Sequence, residues 1–407
     1  MALMSTRTDV SAADGVGKSV ELSVALVSGL ALVIVALFMC VAPLVGKVAG
    51  ARDFVFYWAT GQQLIHHANP YDVVAMGPIE RGAGLPAKYS VGFMRNPPYA
   101  LPLALPLGLV GLRVGTLLWS LLLLASLAAS VHMLWQMFGR PRNSLHWLAY
   151  SFGPAIICLL AGQTAMFALL GLVLFLRLHR TRPFLAGVSL WLCALKPHLF
   201  LPFAVVLLAW IIVSRSYRVL LGATFSVAAS SVLAFLLAPI KWGDYLRVLH
   251  SPGSQWEFVP CVSVLLRVWI SKDTAWLNYV PAALGCAWGL GYFWAPRRTW
   301  DWATDGSLVM LVSILVAPYA WLYDQALAIP ALLEGAYVAR SQSVLAALAL
   351  LSALIELALL AIVWKPEALY NWTLWSAPAW IVWYVYATAA RSRRAVGGSA
   401  EAIVKSR

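Results

Sequence analysis

The stretch LSVALVSGLALVIVALFMCVAPLV, Leu22 to Val45, decides the fold class. No charged side chain interrupts it, and at ~1.5 Å of rise per residue it is long enough to cross a hydrocarbon core of ~30 Å as a helix. In lipid every backbone N–H and C=O needs an internal partner, so such a run is predicted to be helical. Leu117 to Phe138, Val219 to Leu237, Val344 to Trp364 and Leu374 to Ala390 read the same way. The whole chain agrees: 62% of its residues are hydrophobic, 11% are charged and the mean hydropathy is +0.80. Soluble domains carry about a quarter of charged residues, so a water-soluble fold is excluded. The expectation is an all-α protein, a polytopic transmembrane helical bundle of about twelve spans with short interfacial helices in its outer-face loops. The first apolar run is too long for a secretory signal and lacks a convincing small-residue cleavage pattern, so it reads as a retained span.

The formal net charge is +13. In a soluble protein that would suggest nucleic acid; here the basic residues fall in short clusters between apolar runs, which reports topology instead. Arg140/Arg142, Arg177/Arg180/Arg182, Arg215/Arg218, Arg297/Arg298, Arg340 and Arg391/Arg393/Arg394 mark the cytoplasmic side. Both termini then lie inside, at the plasma membrane. The prolines of the 97–110 segment remove helix donors, so it reads as an interfacial or re-entrant piece. One polytopic domain, 1–407, is expected, with a first outer loop at 46–96, a second at 239–280 and a basic cytoplasmic tail at 391–407. The first loop should hold a helix from Phe54 to about His66, closed by the turn Asn69-Pro70-Tyr71-Asp72.

Four middle segments are mostly shorter than the ~17 to 25 residues of a full span: Leu145 to Leu160, Gln163 to Leu178, Phe184 to Leu195 and Pro197 to Val213. Two hairpins follow, with tips at Ala161-Gly162-Gln163 and Lys196-Pro197-His198 sunk below the outer surface. Polar groups at such depth are tolerated where they line a wet cavity or meet a ligand, so a cavity open to the outer face is expected.

Asp53 opens the amphipathic stretch bearing Phe54, Tyr57 and Trp58. On spacing alone it is an N-cap, worth ~1 kcal/mol. A general base at a membrane surface is the functional reading, and one carboxylate oxygen can cap while the other faces substrate. A neighbouring guanidinium, Arg52, would weaken such a base if the two side chains met. Cys40, Cys158, Cys193, Cys261 and Cys286 show no metal or redox spacing and read as packing residues. No metal-ligand spacing, phosphate-cradling glycine loop or Ser/His/Asp arrangement is visible, and no cofactor is expected. Glu334 and Glu356 lie within apolar runs and read as paired or interfacial, with no role assigned.

Asp53-Phe54-Val55-Phe56-Tyr57, followed by Gly61, Leu64 and Asn69-Pro70-Tyr71-Asp72, resembles the opening motif of glycosyltransferase family 87. The likeness continues in order through Asn96-Pro97-Pro98-Tyr99 with Leu101-Pro102-Leu103, Gly162-Gln163, Leu195-Lys196-Pro197, and Ala317-Pro318-Tyr319-Ala320-Trp321 with Tyr323-Asp324 and Pro330. The chain departs from many relatives in carrying Tyr323-Asp324 where they carry histidines. The resemblance implies a bundle of GT-C type and a hexosyltransferase that moves a sugar, in the first place mannose, from a polyprenyl-phosphate donor to a glycolipid or glycan acceptor at the extracytoplasmic face, with inversion.

The residues fit that chemistry. A sugar joined to phosphate already has a leaving group, so the protein needs a base for the acceptor hydroxyl, for which Asp53 is the candidate. It also needs positive charge for the phosphate. Lys196 at a submerged tip is the first candidate, against snorkelling to the headgroups; His198 and Arg95 are the others, with packing or a headgroup contact as the alternative. Tyr57, Gln163, Tyr323 and Asp324 are candidates for binding substrate. A helix terminus is the plainer use of Gln163 and a cap that of Asp324. Most of the 20 tryptophans suit interfacial belts, while Trp256 and Trp321 are candidates for stacking on sugar faces. Partners are the lipid-linked donor, the acceptor and membrane lipids, with no nucleic acid. The rival reading is a polytopic lipid or solute transporter or flippase, which would also be helical around a polar cavity; clustering of the informative residues toward one face favours an enzyme.

Overall fold

The computed structural model describes residues 18–45, 53–85, 92, 94–238, 242–250, 259, 261–339, 341–364 and 373–389. Arg52, Trp256, Arg340 and the tail 391–407 lie outside the described residues, as do parts of both outer loops. Among the described residues every regular element is helical. Helix α1 spans Lys18–Val45, α2 Phe54–Ile65 and α3 Val73–Gly82. A 3-10 turn at Pro98–Leu103 and the single turn α4, Leu105–Gly108, precede α5, Leu112–Met137. Then come α6 (Gly153–Ala161), α7 (Ala165–Leu178), α8 (Pro183–Ala194), α9 (Leu201–Ser214) and α10 (Tyr217–Leu237). The remainder is α11 (Trp242–Leu249), α12 (Val262–Ile270), α13 (Val280–Trp294), α14 (Asp305–Leu315), α15 (Ile329–Val338), α16 (Gln342–Trp364) and α17, residues 376–389.

Among the described residues, four helical stretches are long and apolar enough to cross a membrane: Leu22–Leu44, Leu112–Met137, Pro197–Ser214 and Tyr217–Leu237. The third departs from the sequence reading, which had counted it short. A 3-10 turn at Pro197–Phe200 runs directly into α9, and the two together make 18 residues. The other middle helices are short, as the sequence indicates. α6 has 9 residues, α7 14 and α8 12; at ~1.5 Å per residue none spans ~30 Å. The proline-rich segment forms only the two short turns between residues 98 and 108, because each proline withholds an N–H.

Close packing sets where α2 lies. A Cβ on Gly61 would fall 2.3 Å from the Ala104 carbonyl oxygen and 2.6 Å from the Gly108 nitrogen. Only glycine lets the two backbones meet there. Gln62 Nε2 donates to the Gly108 carbonyl at 2.9 Å and Trp58 Nε1 to the Val110 carbonyl at 3.0 Å, tying the same face down. Phe175 of α7, Phe203 and Trp210 of α9, and Trp300 and Trp302 before α14 form a buried cluster of tilted and edge-to-face rings. Its centroid separations are 4.9 Å for Phe203–Trp302, 5.5 Å for Trp300–Trp302 and 5.8 Å for Trp210–Trp302. Such geometry is preferred by the ring quadrupoles.

Between α2 and α3, Asp72 caps α3 by accepting from the Val74 and Ala75 amides at 3.0 and 3.3 Å. Glu80 of α3 is fully buried and accepts from the Gly92 amide at 3.0 Å through Oε2, while Oε1 has no partner. Burial pushes its carboxyl up to about 7, with the Gly92 amide and Arg81 pulling the other way. A carboxyl whose folded-state pKa is raised contributes stability at low pH that is lost as the pH rises through that value. Protection of the Gly92 amide from hydrogen exchange, corrected for intrinsic rate, should therefore fall between pH 5 and pH 8. Glu80→Gln should flatten that dependence, and an unchanged slope in the variant would remove Glu80 from the role.

Candidate active site

The two hairpin tips come together inside the protein. α6 ends at Gly162, whose φ of 70° is left-handed and turns the chain sharply. Trp119 of α5 donates from Nε1 to the Gly162 carbonyl at 2.8 Å and stacks on Tyr57 at 5.1 Å. The next residue, Gln163, is thereby held against α2. Its Nε2 donates to Asp53 Oδ2 at 2.7 Å, and its Oε1 accepts from the Tyr57 hydroxyl at 3.3 Å. Both ends of the amide are occupied by protein, so Gln163 orients Asp53 rather than ending a helix.

Asp53 is not the cap that its spacing suggests. It has helical backbone angles, φ −74° and ψ −21°, and makes no side-chain cap hydrogen bond. A capping side chain needs an extended backbone to fold over the first amides, and Asp53 instead turns its carboxylate toward Gln163.

The second tip is built by the Asn-Pro-Pro-Tyr segment. Asn96 Nδ2 donates to the Leu195 carbonyl at 2.6 Å and the Tyr99 hydroxyl to the Ala194 carbonyl at 3.0 Å. These are the carbonyls that the end of α8 leaves unpaired. Tyr71 in turn donates to the Asn96 carbonyl at 2.8 Å, so the turn after α2, the proline segment and the α8–α9 tip form one hydrogen-bonded unit. That unit fixes Lys196, which is only 8% exposed.

Lys196 does not snorkel. Its Nζ donates to Asp324 Oδ1 at 2.6 Å and sits 4.6 Å from the centroid of the Tyr323 ring. Asp324 is fully buried, and its Oδ2 accepts from the Trp321 amide at 2.9 Å. Asp324 therefore caps the following turn with one oxygen and pairs with Lys196 through the other. The lysine's acidic partner is Asp324, and Asp53 belongs to the neighbouring Gln163 pair. Tyr57 and Tyr323 connect the halves, since each lies within electrostatic reach of both Asp53 and Asp324.

Arg95 and His198 meet around Tyr319. Arg95 donates from Nη1 to the Tyr319 hydroxyl at 3.1 Å, and Trp321 Nε1 donates to the same oxygen at 2.6 Å. The His198 ring lies edge-on to Tyr319 at 5.7 Å, with a buried Nε2 that has no hydrogen-bond partner. All eight residues singled out from the sequence thus gather in one region: Asp53, Tyr57 and Gln163; Lys196, Tyr323 and Asp324; Arg95 and His198. Two members were missed. Tyr319 was legible as part of a motif but not as the hub for Arg95 and His198, and Trp119 had no local signal, being one tryptophan within an apolar helix.

The sequence profile described as glycosyltransferase family 87 matches residues 93–318, more than half of the chain. The chain belongs to glycosyltransferase family 87. The match covers Arg95, Gln163, Lys196 and His198, while Asp53, Tyr57, Tyr319, Tyr323 and Asp324 flank it and are brought in by the fold. No curated protein and no solved structure matches the chain. Family membership and the apolar helices make this protein a membrane glycosyltransferase.

Removing one member of a buried ion pair leaves an uncompensated charge and costs ~3–5 kcal/mol, whereas replacing both by apolar residues is often near neutral. Lys196→Met should therefore lower the melting temperature in detergent markedly, and Lys196→Met combined with Asp324→Leu should recover most of the loss. Additive losses in the double variant would show that the pair is not energetically coupled.

Proposed function

We propose that this protein transfers a hexose, mannose in the first place, from a polyprenyl-phosphate carrier to a hydroxyl of a glycolipid or glycan at the extracytoplasmic face of the plasma membrane. The reading takes the bundle as GT-C type, with about twelve crossings and both termini cytoplasmic. The outer loops at 46–96 and 239–280 would flank the site, and the tail at 391–407 would face the cytoplasm. One observation carries it: a carboxylate held by a side-chain amide stands beside a cluster of cationic and aromatic groups.

In this scheme Asp53 Oδ1 accepts the proton of the acceptor hydroxyl while Gln163 holds Oδ2. The acceptor oxygen bonds to the anomeric carbon as the bond from that carbon to the phosphate oxygen breaks. Attack opposite the leaving group inverts the configuration. The departing phosphate gains negative charge, which Arg95, Lys196 and His198 meet. Preorganised donors of this kind act strongly where water is excluded.

The Lys196–Asp324 pair adds a condition. An ammonium already matched by a carboxylate offers little net charge, so an arriving phosphate must share Lys196 with Asp324. Asp324 stays in place through the Trp321 amide. Arg95, at the exposed rim, supplies the second positive charge. Tyr57, Tyr323 and Asp324 lie where they can orient the sugar and the acceptor, Trp321 stacks on Tyr323 at 6.2 Å and extends the aromatic wall, and the polyprenyl chain lies between helices. Membership of a glycosyltransferase family favours transfer over transport.

The test is purified protein in nanodiscs, supplied with a panel of polyprenyl-phosphate sugars and membrane extract and followed by mass spectrometry for a new glycosylated product. Asp53→Asn should lower transfer by ~10²- to 10⁴-fold, the usual weight of a general base, with the melting temperature unchanged. Retained transfer in that variant would sink the assignment of the base. Movement of labelled lipid across the membrane with no product formed would favour the transporter reading.

A further inference from the structure

A groove of about 330 Å³ lies away from the site, between α1 and α16, floored by residues 148–152 and by α15. α1 contributes Ser23, Val27 and Ser28, and α16 contributes Leu348, Ser352 and Glu356. Positions four apart share one face of a helix, so each helix lines the groove lengthwise, and the stretch from Leu348 to Glu356 runs for ~12 Å. Its edges are open. Val27 on α1 is 64% exposed and Leu350 on α16 61%. On helices as apolar as these, the exposed side meets hydrocarbon, since α1 contains the candidate span Leu22–Leu44 and α16 is apolar over Gln342–Ala358.

Among the described residues Glu356 is the only ionisable side chain lining the groove. Among the described residues it has no hydrogen-bond or ion-pair partner. Its Cγ lies against Gly153, the first residue of α6, close enough to meet a Cβ built there at 3.4 Å. A carboxyl beside a helix N-terminus is favoured by the dipole, but that attraction recovers only part of what an unpartnered polar group costs in lipid. An ionisable residue within an apolar helix therefore points to a ligand.

The chemistry of the lining selects that ligand. Among the described residues no lysine, arginine or histidine lines the groove, so the phosphate of a phospholipid headgroup would find nothing there to neutralise it. The serine hydroxyls are small and partly used, Ser28 and Ser151 bonding each other at 2.8 Å. What remains is one carboxyl acceptor at one end of a narrow apolar trough. Its complement is an uncharged lipid with a straight hydrocarbon chain and a single hydroxyl. We propose that the groove between α1 and α16 binds a long-chain lipid alcohol, whose hydroxyl donates to the Glu356 carboxyl while its chain lies along Ser352, Val27 and Leu348 toward Ser23.

The test uses the full-length protein in nanodiscs, photolabelled with hexadecanol carrying a diazirine near the middle of its chain and mapped by peptide mass spectrometry. Adducts are expected on α1 near Ser23 to Ser28 and on α16 near Leu348 to Ser352. Unlabelled hexadecanol should compete, and its methyl ether, which has the same chain without the donor proton, should not. Glu356→Leu should reduce labelling by about tenfold, the equivalent of one hydrogen bond. Glu356→Gln, which keeps an acceptor oxygen, should retain labelling. The competition in unmodified protein decides the matter even where a variant folds poorly. Equal competition by the methyl ether, or wild-type labelling of a folded Glu356→Leu protein, would overturn the proposal and leave Glu356 as a dipole partner of α6 beside a merely lipid-filled gap.

Discussion

An ammonium and a carboxylate buried against each other at 2.6 Å organise the functional half of this protein. In an apolar interior neither charge is tolerable alone, so the α8–α9 tip carrying Lys196 and the segment leading into α15 that carries Asp324 must arrive together. Everything that positions the lysine follows from that demand. Asn96 and Tyr99 seal the last carbonyls of α8, Tyr71 holds Asn96, and α2 is pressed onto the proline segment at the Gly61–Gly108 contact. The carboxylate of Asp53 reaches the same region because α2 is fixed there.

The site therefore has two layers that differ in their freedom. Asp324 is bonded through both oxygens and Gln163 through both ends of its amide, which makes them a frame. Arg95 stands at the exposed rim, bonded to a tyrosine hydroxyl. In the proposed reaction the framed Asp53 and the buried Lys196 would hold their places while Arg95, at the rim, would follow the phosphate as it enters and leaves.

Much of this was legible in the sequence, and the reasons are physical. Long apolar runs such as Leu22 to Val45 can be nothing but helices in lipid, and the short segments around Gly162 and Lys196 could only end inside the protein. The convergence of polar residues at those tips followed, because polar groups without partners do not persist there. What could not be read was pairing. Nothing local distinguishes Asp53 from Asp324 as the partner of Lys196, since the choice depends on how separate helices pack. The cap assigned to Asp53 failed for a similar reason: spacing reports position, whereas capping depends on a backbone angle that the preceding chain imposes. Trp119 and Tyr319 were hidden because their role lies in contacts from distant parts of the chain.

The aromatic cluster of Phe175, Phe203, Trp210, Trp300 and Trp302 has an optical consequence. Indoles held within 6 Å in fixed, nearly perpendicular orientations couple their electronic transitions, which yields circular dichroism in the aromatic ultraviolet that free rotation would average away. Three tryptophans from α9 and the turn before α14 thus form a built-in chromophore whose signal depends on those elements staying docked. A purified sample would report the integrity of its tertiary packing in detergent by light alone, with no substrate, label or antibody.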